Sequence, residues 1–258
     1  MKTFVVLLLG ALALSAQTPD GKSVVNDAVA ALGGTRFLEM QNYVESGRAY
    51  SFYRNELKGL ALSTIYTEYV GTQPSKGLSV RERQNFGKKD DYAYLFLETQ
   101  GWDVTFRGAR PLPDEVWKRY ETSTSTGVLY MLRTRLKDPA MSFDFVRSDV
   151  VLSTHVNIVD ITDPENRRIR VYFDYNSKLP IRQEYSEWDP IGRQRSTEVT
   201  DFSKYRESNG VNLPLVIHRE RNGEKVYEMF ADKLTTNSKF PDNVFALPSG
   251  IKILKKVD

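Results

Sequence analysis

From Thr154 to about Ala231, apolar and polar residues alternate in short runs separated by turn signals, a pattern that leaves few folds other than an antiparallel meander. Ile169, Val171 and Phe173 alternate with Arg168, Arg170, Tyr172 and Asp174, so an aliphatic set falls on one face and a charged set on the other. Leu213, Leu215 and Ile217 repeat this against Pro214, Val216 and His218, and Asn222-Gly223 supplies the φ > 0 pair of a two-residue hairpin. Asp163-Pro164, Asn176-Ser177, Asp189-Pro190 with Gly192, and Asn209-Gly210 mark the remaining turns. A large sheet with one apolar face has to cover it with helices, a second sheet or a ligand.

Upstream, Val24, Val25, Ala28 and Leu32 share a helical stripe that Gly33-Gly34 ends, and a short turn carrying Phe37, Leu38 and Met40 precedes the first strand. Strands are expected at 43–53 and 60–70, joined by a loop at 55–59, and then at 78–85, 92–98 and 102–107. The period changes after Pro111 and Pro113. Val116, Trp117 and Tyr120 stand at helical spacing, the run 122–127 of Thr, Ser and Gly interrupts the pattern, and Val128, Leu129, Leu132 and Leu136 form a second stripe. Two apolar-faced helices joined by a polar hinge are therefore inserted midway through a β chain, with the build of a lid or of fixed core helices. Strands resume at 143–146 and 150–152, and the tail at 251–254 is expected as an edge strand or a docked extension.

The apolar run from Phe4 to Ala13, after Lys2 and before Ser15 and Ala16, reads as a secretory signal peptide over residues 1–16, followed by one domain over 17–258. The run is too short to span a bilayer, which takes roughly 20 residues, and no other segment qualifies, so the mature chain is expected to lack a transmembrane segment. Export without cysteine fits the periplasm of a Gram-negative bacterium, because the core must hold without disulfides. With a net charge of +3 and basic residues scattered along strand faces, nucleic acid is not an expected partner.

Catalytic constellations are scarce. His155 and His218 lie far apart in the sequence with no ligand spacing around them, no Gly-x-Ser-x-Gly turn or phosphate loop occurs, and thiol chemistry is excluded. Asp163 and Glu165 fit an Asx-Pro turn better than a calcium site. The chain is accordingly read as no enzyme, with no metal and no cofactor; an exported hydrolase would need carboxylates or a histidine gathered in a cleft.

The stretch from Asp27 to Gly34 (DAVAALGG), followed by Met40 to Gly47 (MQNYVESG), resembles the opening of outer-membrane lipoprotein-sorting proteins of the LolA-like lipoprotein-carrier superfamily. Gln100-Gly101-Trp102, Val171 to Asp174 with Lys178-Leu179-Pro180, Asn209 to Pro214 and Phe245 to Pro248 are similar to later landmarks. The resemblance implies an α+β, mainly antiparallel fold: a strongly curved, incomplete β-barrel with helices covering its concave face. It further implies an apolar cavity that receives lipid or lipoprotein acyl chains, or a domain that senses other cell-envelope proteins. Members of this superfamily have a gating arginine, and no motif assigns that role to Arg81, Arg107, Arg133 or Arg135. Two functions follow as expectations. One is an exported, non-catalytic carrier or sensor with Trp102, Phe106, Trp117, Tyr120, Leu129 and Leu132 lining an apolar cavity; the other is an envelope partner-binding scaffold without lipid. A closed lipocalin-type barrel is the rival fold.

Overall fold

The computed structural model describes residues 20–71, 77–88, 92–189 and 193–256, so the expected signal peptide and the turn residues Pro190 and Gly192 lie outside the described residues. The first helix, α1 (Gly21–Leu32), is capped by the Asp20 carboxylate, which accepts from the Ser23 amide at 3.2 Å, and it stops at Gly33, whose φ of 127° a side chain would resist. Its stripe of Val24, Val25, Ala28 and Leu32 is buried as the spacing predicts. The single turn α2 (Thr35–Leu38) then inserts Phe37 into the core.

Six strands follow: β1 (Asn42–Tyr53), β2 (Glu56–Tyr69), β3 (Val80–Phe86), β4 (Tyr92–Phe96), β5 (Gly101–Thr105) and β6 (Gly108–Pro111). The first connection is tighter than the expected loop at 55–59. Arg54 and Asn55 both adopt positive φ (51° and 62°), a two-residue turn that lets β2 begin at Glu56. The expected strand at 102–107 is in fact the hairpin of β5 and β6, because Phe106 and Arg107 form its turn.

Two helices come next, α3 (Asp114–Ser125) and α4 (Val128–Thr134). The break between them is shorter than the sequence suggested. Ser125 and Thr126 turn their hydroxyls back onto the Thr122 carbonyl at 3.2 and 2.8 Å, so the Ser/Thr run continues as helix and only Thr126 and Gly127 form the joint.

The second meander comprises β7 (Ser142–Val151), β8 (Thr154–Thr162), β9 (Arg168–Asp174), β10 (Pro180–Asp189), β11 (Gln194–Ser208), β12 (Val211–Arg221) and β13 (Glu224–Thr236). The two strands expected at 143–146 and 150–152 are a single β7, which carries its polar middle across a bulge between Phe145 and Arg147.

Among the described residues all thirteen strands join one antiparallel sheet in the order β6-β5-β4-β3-β2-β1-β13-β12-β11-β10-β9-β8-β7. Every neighbour is a hairpin partner except β1 and β13, which pair from Tyr43 with Thr236 to Ser51 with Tyr227. The edges β6 and β7 do not pair with each other, so the curved sheet is an incomplete barrel rather than the closed lipocalin type. The segment between those edges, α3 and α4, crosses the inner face. The tail closes one edge as a docked extension: Ala109 donates its amide to the Lys252 carbonyl at 2.9 Å and accepts from Leu254 at 2.8 Å. Gly108 permits this seat, since a Cβ there would stand 2.4 Å from the Lys252 carbonyl oxygen.

The main core lies between α1, α2, α4 and the inner face of β7 to β13, with Phe37, Met131, Leu132, Ile161, Ile169 and Phe173 among its fully buried side chains. Gly21 lets α1 press onto β7, where a Cβ would meet the Phe143 carbonyl oxygen at 2.4 Å. A smaller cluster of Ala93, Leu95, Val104 and Ala109 sits on the outer face of β4 to β6 under the tail residues Phe245, Leu247 and Ile251.

Candidate functional site

The register brings a polar and aromatic set onto the inner face of the first meander. Across β1, β2, β3 and β4 one row reads Tyr43, Thr67, Glu82, Phe96, and the next reads Glu45, Ile65, Gln84, Tyr94. Helix α3 lies over this wall through rings. Tyr120 stacks on Phe96 with centroids 3.6 Å apart at 8°, and Trp117 lies 5.7 Å from Tyr120. Arg219 of β12 and Tyr227 of β13 close the far side, with the guanidinium over the Tyr227 ring at 5.8 Å and donating to Ser123 of α3 at 3.4 Å.

Between wall and helices lies a cavity of about 130 Å³, lined among others by Tyr43, Thr67, Glu82, Leu129, Phe202 and Arg219. Sites for drug-sized ligands span roughly 300–1,000 Å³, so the cleft as it stands is too small to take a long chain. Of α3 only Ser125 is buried, and the helix is held chiefly at its ends. At its start Lys256 reaches Asp114 at 2.5 Å. At its end Ser125 accepts from Arg167 at 2.8 Å, and the buried Gln183 takes the Val128 amide at 2.7 Å. Beside that end, Asp163 is fully buried and paired with Arg167 at 2.6 Å, while Arg135 holds Glu165 at 2.7 Å. These carboxylates serve as arginine partners, and no group of acids or histidines suited to a metal occurs among the described residues.

Burial sets the protonation of the cleft. Glu45 is 7% exposed and makes no hydrogen bond; burial first, then the neighbouring charge of Glu82, pushes its carboxyl up to about 8, against the pull of Arg219. Burial likewise raises Glu82, opposed by the hydrogen bond from Gln84 and by Arg219. The Tyr43 and Tyr120 phenols are raised well above their ordinary range, burial again leading. Two hydroxyls here complete no hydrogen bond: Thr67 Oγ1, on a residue 3% exposed, and Tyr120 Oη.

The expected lining residues divide. Tyr120 and Trp117 form the underside of α3, and Leu129 lines the cavity. Leu132 is fully buried one turn on, in the main core. Trp102 pairs with Leu95 and so faces the outer cluster under the tail, because the period of two places it opposite Tyr94 and Phe96. Phe106 sits in the β5–β6 turn and is 86% exposed. These two are corrected from the expected lining: neither faces the cleft. Sequence reasoning missed Glu45, Thr67, Glu82 and Arg219. The signal for Glu45 was its phase on β1 with Tyr43; β3 gave none, since Arg81, Arg83 and Asn85 on its other face are as polar as Glu82 and Gln84.

No protein-family model matches the chain, and no curated protein matches its sequence. Solved structures do. A DUF1329 family protein from Desulfovibrio piger superposes with a TM-score of 0.59 at 13% identity, over 91% of this chain and 100% of that one. An outer membrane lipoprotein-sorting protein domain from Vibrio parahaemolyticus gives 0.55 at 11%, over 87% and 95%, and a LolA superfamily protein from Nitrosomonas europaea gives 0.53 at 9%, over 89% and 99%. The chain has a LolA-like fold. Within the LolA-like frame, the pair of acids Glu45 and Glu82, in adjacent rows of the inner face, is a feature read from this chain's own residues.

Proposed function

We propose that this protein is an exported, non-catalytic carrier or sensor that takes an acyl chain, free or on a lipoprotein, between its curved sheet and α3. The observation that carries the reading is how α3 is seated. It rests on Phe96 through Tyr120 and Trp117, buries only Ser125, and is tied at its two ends, so its middle has little to lose on lifting. Displacing it would open the aromatic wall of Phe86, Tyr92, Tyr94 and Phe96, whose rings already pack edge to face and tilted along β3 and β4. The LolA-like fold supports the same reading. Export rests on the signal peptide expected at residues 1–16 and places the protein in the periplasm.

Native mass spectrometry of the protein purified from a bacterial envelope, followed by solvent extraction, tests this. A 1:1 acylated species displaced by added fatty acid is expected. An empty protein that also ignores an apolar fluorescent probe would overturn it. A second reading, a partner-binding envelope scaffold, is favoured by Leu60 and Leu62, 58% and 49% exposed on the outer face of β2; it predicts a stable protein complex with no lipid carried.

A further inference from the structure

The floor of the cleft does not suit a bare hydrocarbon. Glu45 and Glu82 stand on β1 and β3 in adjacent rows, two strand spacings across the sheet and two residues along it, about 12 Å on the diagonal, with Thr67 of β2 directly opposite Glu82 and Ile65 directly opposite Glu45. Neither hydrogen-bonds the other. An alkyl chain pressed here would leave the Glu45 carboxyl, the Thr67 hydroxyl and the Tyr120 hydroxyl without partners in a water-excluded space, and each such group is costly, while Glu82 would keep only the bond from Gln84.

The charge inventory says what is missing. Glu45 is faced by Glu82 from β3, by Arg219 from β12, and by the phenols of Tyr43 on its own strand and Tyr227 on β13. Two acids thus meet one guanidinium, and Arg219 is an exposed residue turned toward Ser123 and the Tyr227 ring. One positive charge is lacking, and in the empty cleft a proton on Glu45 supplies it. The remaining surroundings offer hydroxyl oxygens and the ring of Tyr43, whose π face attracts ammonium groups; the Tyr69 ring already faces Arg133 at 4.9 Å and the Tyr120 ring is stacked on Phe96. A carboxylate or phosphate headgroup would instead meet two acids with one exposed arginine to offset them.

We propose that the chain taken up beneath α3 carries a cationic amine headgroup that seats between Glu45 and Glu82, over the Thr67 hydroxyl. This rests on the acyl-chain reading above and adds the headgroup to it. The amine donates to both carboxyls and to Thr67, and its arrival expels the proton from Glu45, so no charge is left unpaired.

The test uses three ligands of one chain length below their micelle concentrations, dodecylamine, dodecanol and dodecanoate, titrated calorimetrically into the full-length mature protein at pH 7. The amine is expected to bind at least tenfold more tightly than the other two and, in buffers of different ionisation enthalpy, to release close to one proton. Glu45→Gln and Glu82→Gln, which keep the side chains' shape, are each expected to erase most of the amine's preference over dodecanol. Equal affinities, a preference for dodecanoate, or amine binding without proton release would overturn the headgroup while leaving the chain reading intact. Failure of all three to bind would overturn both. Proton release is read on the unaltered protein, so it decides even if a variant folds poorly.

Discussion

Under α1, α2 and α4 the inner face of β7 to β13 is aliphatic and closed, whereas under α3 the inner face of β1 to β4 is aromatic, polar and roofed by a helix with one buried residue. The same sheet therefore has a half closed by aliphatic packing and a half that is not. Val128, Met131 and Leu132 of α4 are 0% exposed, while Val116 of α3 is 37% exposed. Burial of large apolar side chains holds the first half at about 25 cal/mol per Å² of apolar surface. In the second, ring contacts and end ties do the holding, and desolvated carboxyls oppose them. The lesson is that a helix can lie on a sheet in the same fold either as core or as cover, and burial distinguishes the two.

The largest effect that sharpens this contrast is expected at Phe173, which is 1% exposed beneath the closed half. Phe173→Ala should cost about 3–5 kcal/mol of unfolding free energy in urea. A value near zero would mean that the closed half is loosely packed. Tyr120→Ala on the cover helix removes the stack on Phe96 and should cost only about 1 kcal/mol. A loss as large as that of Phe173 would break the distinction.

The two halves are also expected to respond to pH with opposite sign. Glu45 has its folded value raised from 4.5 to about 8, so the stability it confers is complete below about 4.5 and is lost as pH rises through 8. Glu165, beside the end of α4, is lowered from 4.5 to about 2 by the Arg135 hydrogen bond first, so its contribution is present above 4.5 and lost as pH falls toward 2. Hydrogen exchange should show α3 losing protection between about pH 4.5 and 8, once intrinsic rates are divided out, and Glu45→Gln should flatten that loss. Loss of protection shared equally by α4 would count against separate halves. The smallest effect belongs to Phe106→Ser at the exposed hairpin turn, expected within about 0.5 kcal/mol by thermal melting.

The closed half was the legible one. Strict alternation in Ile169, Val171 and Phe173, turn pairs such as Asn222-Gly223, and the α1 stripe are local signals, and each marks an element that the structure contains. The open half was harder because β3 is polar on both faces and the rings of β4 have apolar neighbours on the opposite face. Trp102 and Tyr94 are both aromatic, yet only the hairpin register decides that one faces the tail and the other the cleft. Glu45 and Arg219 are far apart in sequence, and their registers place them opposite Leu234 and Tyr227, seven residues apart along β13, so they interact only across the curved inner face and no spacing rule brings them together.

That pairing has a kinetic consequence. Each meander grows by hairpins between adjacent segments, but β1 and β13 come from opposite ends of the described chain and close the longest loop in the molecule. Non-local pairings of this kind are slow to form, although the entropy of closing the loop rises only logarithmically with its length. Folding is thus expected to finish at the middle of the sheet rather than at its edges. Glu45 lies on one side of that seam and Tyr227 on the other, so the cleft comes into being only with the final docking step.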